Sequence, residues 1–270
     1  MSHVTCEENA RRTEEDVCAP GCEPDRKGPR HAWYLPIKTA IEWCMALVLL
    51  VATGPIILVL AALVRWTSSG PAFYTQARMG KLGRCFRMVK LRSMTHGCEA
   101  ESGPVWSRPD DPRVTRIGRF LRDTHLDELP QLWNILKGDM SLVGPRPERP
   151  ELIPEIERAI PGYRERLRVR PGVTGLAQMN LPPDTNLNGV RKKLEYDLYY
   201  VREVSFGLDT RVGLCTIFNF IGSLANAMGR LLVNSYRQAI EVRFEQAANE
   251  QMLHHKRIVD ADEAHSLRGA

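Results

Sequence analysis

The chain offers no disulfide framework. Its 7 cysteines are odd in number and scattered from Cys6 to Cys215, without the even spacing that staples a small secreted fold. A zinc set is missing too. Cys18 and Cys22 stand close together with Cys6 upstream, but no second cysteine or histidine pair completes four ligands. Reduced thiols in a cytosolic compartment are the expectation. No internal repeat or low-complexity tract occurs, and no charge of one sign dominates. The formal net charge of +5 over 270 residues, with a pI near 8.9, suits an anionic membrane, a nucleic acid or a phosphorylated small molecule without choosing among them. With 43% hydrophobic and 26% charged residues, a packed core is feasible and wholesale disorder is excluded.

Charge is absent altogether from Trp43 to Val64, "WCMALVLLVATGPIILVLAALV". A helix of about 20 such residues crosses the hydrocarbon core of a bilayer. A secretory signal fits poorly, because the run is long, begins late and is followed by no clean small-residue cleavage site. A buried core helix without any polar face is rare in a domain of this size. Pro55 sits mid-segment, where it removes a backbone donor and predicts a kink, with the Thr53 hydroxyl bonding the backbone nearby. Basic residues flank both sides: Arg26, Lys27, Arg30 and Lys38 before, Arg65, Arg78, Lys81 and Arg84 after. Positive flanks prefer the cytoplasm. Both flanks satisfy that preference only if the segment enters and leaves by one face, so a re-entrant hairpin and a straight span both stand.

Around this segment the chain divides into an extension over 1–32, a membrane segment over 33–66, a compact domain over 67–222 and a C-terminal charged helix and tail over 223–270. The extension is polar and lacks an apolar period, as disordered chain does. Within the domain, "RCFRMVKLRSM" from Arg84 reads as a strand with basic residues on one face, and "DPRVTRIGRFLRDT" from Asp111 as a turn into a short basic helix. A further helix is expected over Asn188 to Val204, then a second helix or pair of helices from Leu208 onward. The second is amphipathic enough to lie on a membrane surface or to pack on the domain.

The stretch "DTHLDELPQLWNILKGDMSLVGPRPERPE", Asp123 to Glu151, raises the chemical question. Thr124 and Asp127 fit a capping box, and Pro130 is tolerated only in a first helical turn. The spacing therefore predicts a helix from about Asp127 to Lys137, closed by Gly138, with Leu129, Leu132, Trp133 and Leu136 on one buried stripe. That puts Asp127 and Glu128 at a helix amino terminus, a natural seat for phosphate. Arg116, Arg119 and Arg122 lie upstream, and Arg146 is held in extended backbone between Pro145 and Pro147. Guanidinium groups match phosphate oxygens. Two acids beside a phosphate repel it unless a cation lies between them, or unless one carboxylate attacks the phosphorus. On spacing alone a phosphate site competes with a solvated helix cap.

Five ordered blocks resemble the bacterial sugar transferases, the monotopic polyprenyl-phosphate phosphoglycosyl transferases. They are the proline-broken apolar segment, "YTQARMGKLGRCFRMVKLRSM" from Tyr74, "LDELPQLWNILKGDMSLVGPRP" from Leu126, "RPGVTGLAQ" from Arg170 and "YDLYYV" from Tyr196. The resemblance spans about residues 35 to 220. It implies an α+β protein: a re-entrant (monotopic) membrane helix, then a compact, mostly helical cytosolic domain with a small sheet and surface amphipathic helices. It implies Asp127 as nucleophile, with Glu128 beside it in acid–base work and both acids holding Mg2+. Lys90, Arg92, Arg122, Arg146 and Asp197 match positions around the nucleotide sugar. One departure concerns the loop after Gln178. Many members carry Val-Asn-Gly-Arg there, and this chain reads "MNLPPDTNLNGVRKK". The usual arginine is missing, with Arg191 as a candidate substitute.

The expected activity is transfer of a sugar phosphate from a nucleoside diphosphate sugar, UDP-linked by expectation, to polyprenyl phosphate, initiating bacterial glycan assembly. The expected setting is the plasma membrane, with the catalytic domain on the cytoplasmic face. Partners are the nucleotide sugar, polyprenyl phosphate and the bilayer; no nucleic acid is expected, and a homodimer is left open. The rival readings are a membrane-bound nucleotide-sugar hydrolase and a non-catalytic membrane scaffold.

Overall fold

A computed structural model describes residues 29–98, 111–182, 187–221 and 240. The expected N-terminal extension and most of the expected C-terminal helix and tail fall outside them.

The apolar segment lies within one helix, α1 (Tyr34–Thr67), which carries Pro55 inside it. The Thr53 hydroxyl donates to the Leu49 carbonyl at 2.7 Å, a back-bond to the preceding turn. At about 1.5 Å per residue such a helix is roughly 50 Å long. Three stretches of it touch the domain. Tyr34 joins the cluster of Val143, Tyr200 and Val212. Ala46 and Leu50 pack with Met88, Leu132, Ile135 and Met140. Leu60, Ala61 and Val64 pack with Leu91 and Leu121. The middle of the helix instead exposes Val48, Val51, Leu58 and Val59. The helix is long and apolar enough to cross a membrane, and this exposed belt is costly in water.

Strands β1 (Phe73–Met79) and β2 (Cys85–Leu91) form an antiparallel hairpin in which Tyr74 faces Lys90. Next come α2 (Arg116–Asp123), a 3₁₀ turn (Leu126–Glu128) and α3 (Gln131–Leu136). Strand β3 (Ser141–Val143) pairs in parallel with β4 (Gly172–Thr174), which lies within "PGVTG". Between them lie α4 (Ile153–Ala159) and a 3₁₀ stretch (Tyr163–Arg168). Helices α5 (Leu176–Asn180), α6 (Leu187–Glu203) and α7 (Phe206–Ile221) complete the described chain. The domain is mostly helical, as expected, but carries two small sheets instead of one.

The local reading around the acids needs correction. The capping box does not form: Thr124 closes α2, and its hydroxyl donates to the Phe120 and Leu121 carbonyls. His125 then takes a left-handed conformation (φ 54°). The acids sit in the 3₁₀ turn, and α3 starts only after Pro130. Trp133 is 53% exposed and Ile135 takes its place in the core. Helix α3 is two turns long, and its buried face is set by what α1 and β2 present. Gly138 is left-handed (φ 82°), as a helix-ending glycine should be.

Candidate active site

The two acids have different surroundings. Glu128 Oε1 accepts from Lys90 Nζ at 2.7 Å and from Arg146 Nη2 at 2.8 Å. Burial opposes its ionisation, but the Arg146 guanidinium and the Lys90 ammonium hold its carboxyl well below the usual carboxylate range. Asp127 is 6% exposed, and among the described residues no side chain donates a hydrogen bond to its carboxylate. Burial pushes its carboxyl up, against the pull of Lys90, Arg122 and Arg146. Adjacent carboxylates in unlike environments take unlike roles. Glu128 gathers two cations, while the Asp127 carboxylate has no side-chain donor among the described residues.

Lys90 reaches this turn because β2 runs beneath α3. The Asn134 side chain ties the two, accepting from Val89 N at 3.0 Å and donating to the Arg87 carbonyl at 2.8 Å. Arg122, in the last turn of α2, donates to Ser93 Oγ at 3.0 Å and adds positive charge near Asp127.

Arg146 is held through its backbone. The chain after β3 is pinned residue by residue: Gly172 N donates to the Pro145 carbonyl, Arg166 Nη2 to that of Arg146, Arg78 Nη1 to that of Pro147, and Met79 N to that of Glu148, all at 2.8–3.1 Å. The approach of this loop to β4 is so close that a Cβ on Gly144 or Gly172 would collide with the backbone opposite. That explains the glycines in "GPRP" and "PGVTG".

Two of the expected site residues point elsewhere. Arg92 donates through Nη2 to the carbonyl and hydroxyl of Ser68, at 2.9 and 2.7 Å, and so caps the carboxyl end of α1. Asp197 is fully buried against Arg166, accepting from Nε at 2.9 Å and Nη2 at 2.7 Å. Arg166 Nη1 also donates to the Tyr163 hydroxyl at 2.9 Å. Burial works against the Arg166 charge, but Asp197 holds it above its ordinary value. Asp197 thus reaches the acids at second hand, through Arg166 and the Arg146 carbonyl. Arg191 donates to the Ala159 carbonyl at 3.4 Å, at the end of α4.

Sequence reading passed over Arg166, Arg78, Glu148 and Lys193. Lys193 Nζ donates to Glu148 at 2.6 Å, one residue past the second proline of "GPRP". Its sole signal is a place four residues before Asp197 on one face of α6.

Among the described residues no group of three or more His, Cys, Asp or Glu gathers as a metal site. Asp127 and Glu128 alone still fit Mg2+, which takes one or two carboxylates and completes its shell with substrate phosphates and water.

The model of a family described as bacterial sugar transferase matches residues 33–223. A protein of Aeromonas hydrophila named UDP-N-acetylgalactosamine-undecaprenyl-phosphate N-acetylgalactosaminephosphotransferase is 39% identical over 184 residues, which is 68% of this chain and 43% of that protein. A Klebsiella pneumoniae UDP-glucose:undecaprenyl-phosphate glucose-1-phosphate transferase is 38% identical over 209 residues, 77% of this chain and 44% of its own. A Bacillus subtilis protein named putative undecaprenyl-phosphate N-acetylgalactosaminyl 1-phosphate transferase is 51% identical over 136 residues, 50% of this chain and 75% of its own. The chain therefore spans less than half the length of the first two and three quarters of the third. The matched region holds α1, the acid pair, the pinned arginine and the buried Arg166–Asp197 pair together, and on that match the chain belongs to the bacterial sugar transferase family.

Proposed function

We propose that the protein transfers a sugar 1-phosphate from a UDP-sugar to a polyprenyl phosphate at the membrane, the first step of a bacterial glycan. The observation that carries this reading is the split between the acids: Glu128 is engaged by Lys90 and Arg146, and Asp127 is buried with no side-chain donor to its carboxylate among the described residues.

An Asp127 oxygen attacks the sugar-bearing phosphorus. A new P–O bond forms, the bond to the bridging diphosphate oxygen breaks, and the nucleoside monophosphate leaves with that oxygen. The acceptor's phosphate oxygen then attacks the same phosphorus and Asp127 leaves as carboxylate, giving a polyprenyl diphosphate sugar. Splitting one displacement into two is the gain of covalent catalysis. Lys90 and Arg146 keep Glu128 ionised and place positive charge where the departing diphosphate oxygen gains negative charge. Arg146, fixed through its carbonyl, offers its fork to the diphosphate. Mg2+ held by Asp127 and Glu128 would neutralise phosphate charge.

The same reading includes re-entry of α1 with both flanks on the cytoplasmic side of the plasma membrane. It is supported by the helix packing on one domain at both ends, through Tyr34 near its start and Leu60 and Val64 near its close. A straight span separates its ends by about 30 Å of hydrocarbon.

The test is a donor labelled in its sugar-linked phosphate, mixed with the protein in the absence of lipid. A labelled peptide containing Asp127, one equivalent of nucleoside monophosphate and loss of both in Asp127→Asn are expected. Near-normal turnover by Asp127→Asn ends the proposal.

A further inference from the structure

A cavity of about 1170 Å³ opens beside Glu128, the neighbour of Asp127, larger than the roughly 300–1,000 Å³ of most small-molecule sites. Glu128, Arg146 and Lys193 border it. Two apolar helix faces line it as well. One is a stripe of α1 that includes Met45 and Leu49, inside the charge-free run. The other is a face of α7 that includes Gly213 and Ile217, with Leu132 and Leu142 between them. Met45, Leu49 and Ile217 are 49%, 40% and 55% exposed. Lys38, Glu42 and Asp209 also border the space, but they satisfy one another: Lys38 Nζ donates to Glu42 at 2.8 Å and to Asp209 at 2.7 Å.

A nucleotide sugar, densely polar and doubly charged, gains little from walls of methionine, leucine and isoleucine. A hydrocarbon chain gains about 25 cal/mol for each Å² it buries. Of the lysine and arginine side chains that border it, Lys38 is shared by two acids, whereas Arg146 and Lys193 each meet one, Glu128 and Glu148, and one wall is the long apolar helix α1. This calls for a ligand that is anionic at one end and hydrocarbon along its length, able to arrive from the membrane side.

We propose that this cavity is the acceptor site, with the phosphate of a polyprenyl phosphate toward Arg146 and Lys193 and its first isoprene units lying between α1 and α7. The assignment rests on the phosphoglycosyl-transfer reading. It adds where the lipid lies and which residues of α1 and α7 enclose it.

A Cβ on Gly213 meets nothing within 4 Å, so Gly213→Trp grows into the cavity without disturbing backbone. Met45→Trp fills it from the opposite wall. The 270-residue chain is placed in nanodiscs of phosphatidylethanolamine and phosphatidylglycerol, and the two half-reactions are read separately. The burst of nucleoside monophosphate without acceptor reports the first, and the acceptor KM for polyprenyl phosphates of increasing length reports the second. In both variants the burst amplitude and donor KM are expected to match wild type. The acceptor KM is expected to rise about tenfold or more, and the gain in affinity over the first isoprene units of the length series to disappear. An unchanged acceptor KM in both variants overturns the proposal, as it would if bilayer lipid or the chain's own later residues filled the space. Loss of the burst alongside acceptor binding overturns it too, since the cavity would then serve the donor. A wild-type protein that gives no burst at all would instead refute the transfer reading, so the two failures are distinct.

Discussion

Replacing Asp197 by asparagine separates two roles for this acid. If Asp197 touched the nucleotide sugar, Asp197→Asn would cost turnover and leave the fold intact. The structure instead buries it against Arg166, both side chains being at most 2% exposed. Removing one member of a buried pair leaves the other charge uncompensated, at about 3–5 kcal/mol. Asparagine keeps an acceptor near Arg166 Nε, so the lower end applies, about 3 kcal/mol. For a domain of this size each kcal/mol moves Tm by about 2–4 °C, which gives a fall of about 6–12 °C. The Arg166 fork also holds the Arg146 carbonyl, so the surviving folded protein should show a raised donor KM with a smaller change in kcat. The double variant Asp197→Leu with Arg166→Met sharpens the argument. Taking out both charges should restore most of the lost stability, yet the Arg146 carbonyl stays unpinned and the donor KM stays high. Thermal unfolding and steady-state kinetics on the three proteins suffice. A Tm within about a degree of wild type for Asp197→Asn, together with collapse of kcat, would refute the reasoning and return this acid to the substrate.

Lys90 is the foremost cation holding the Asp127 carboxyl down against burial. Lys90→Met should therefore raise that carboxyl further and move the acid limb of adduct formation to higher pH; a limb that stays put or moves lower contradicts the assignment. Arg146→Lys keeps the charge but loses the fork, and with it a charge-assisted bond of about 1.5–3 kcal/mol. The donor KM should rise about 10–100-fold with an unchanged melting curve, and wild-type kinetics would remove Arg146 from the site. For topology, cysteines introduced near Pro36 and Thr67 should both resist a membrane-impermeant reagent added to intact cells; labelling of either one from outside restores a straight span.

What the sequence revealed tracks how local each signal is. The apolar helix, the short basic helix after Asp111 and the glycine stop at Gly138 depend on neighbours a few residues away, and the structure has them. The start of α3 departs from the expectation because the capping box and the αL residue His125 compete for the same four positions, and the close of α2 takes Thr124. Trp133 looked buried by period, but a two-turn helix has too few residues for a period to be decisive. At the site, Asp127, Glu128 and Arg146 were found from one contiguous stretch. Lys90 was placed by family resemblance, and its partner Glu128 is 38 residues away. Arg166 was missed because its work lies in contacts 20 and 31 residues distant, which no local pattern encodes.

Arg92 and Lys90 are next-but-one neighbours at the end of β2. One grips Ser68 at the foot of α1 and the other holds Glu128. On the proposed reading, the height of Asp127 above the bilayer is therefore set by the two-residue step from Lys90 to Arg92, with no flexible tether between α1 and the acid pair. Such an enzyme has no reach. It works at one fixed altitude, set by how deeply α1 sits, and every acceptor phosphate must come to that level to be served. Lengthening the chain between Ser68 and β1 would therefore detune the protein even if every catalytic side chain kept its place.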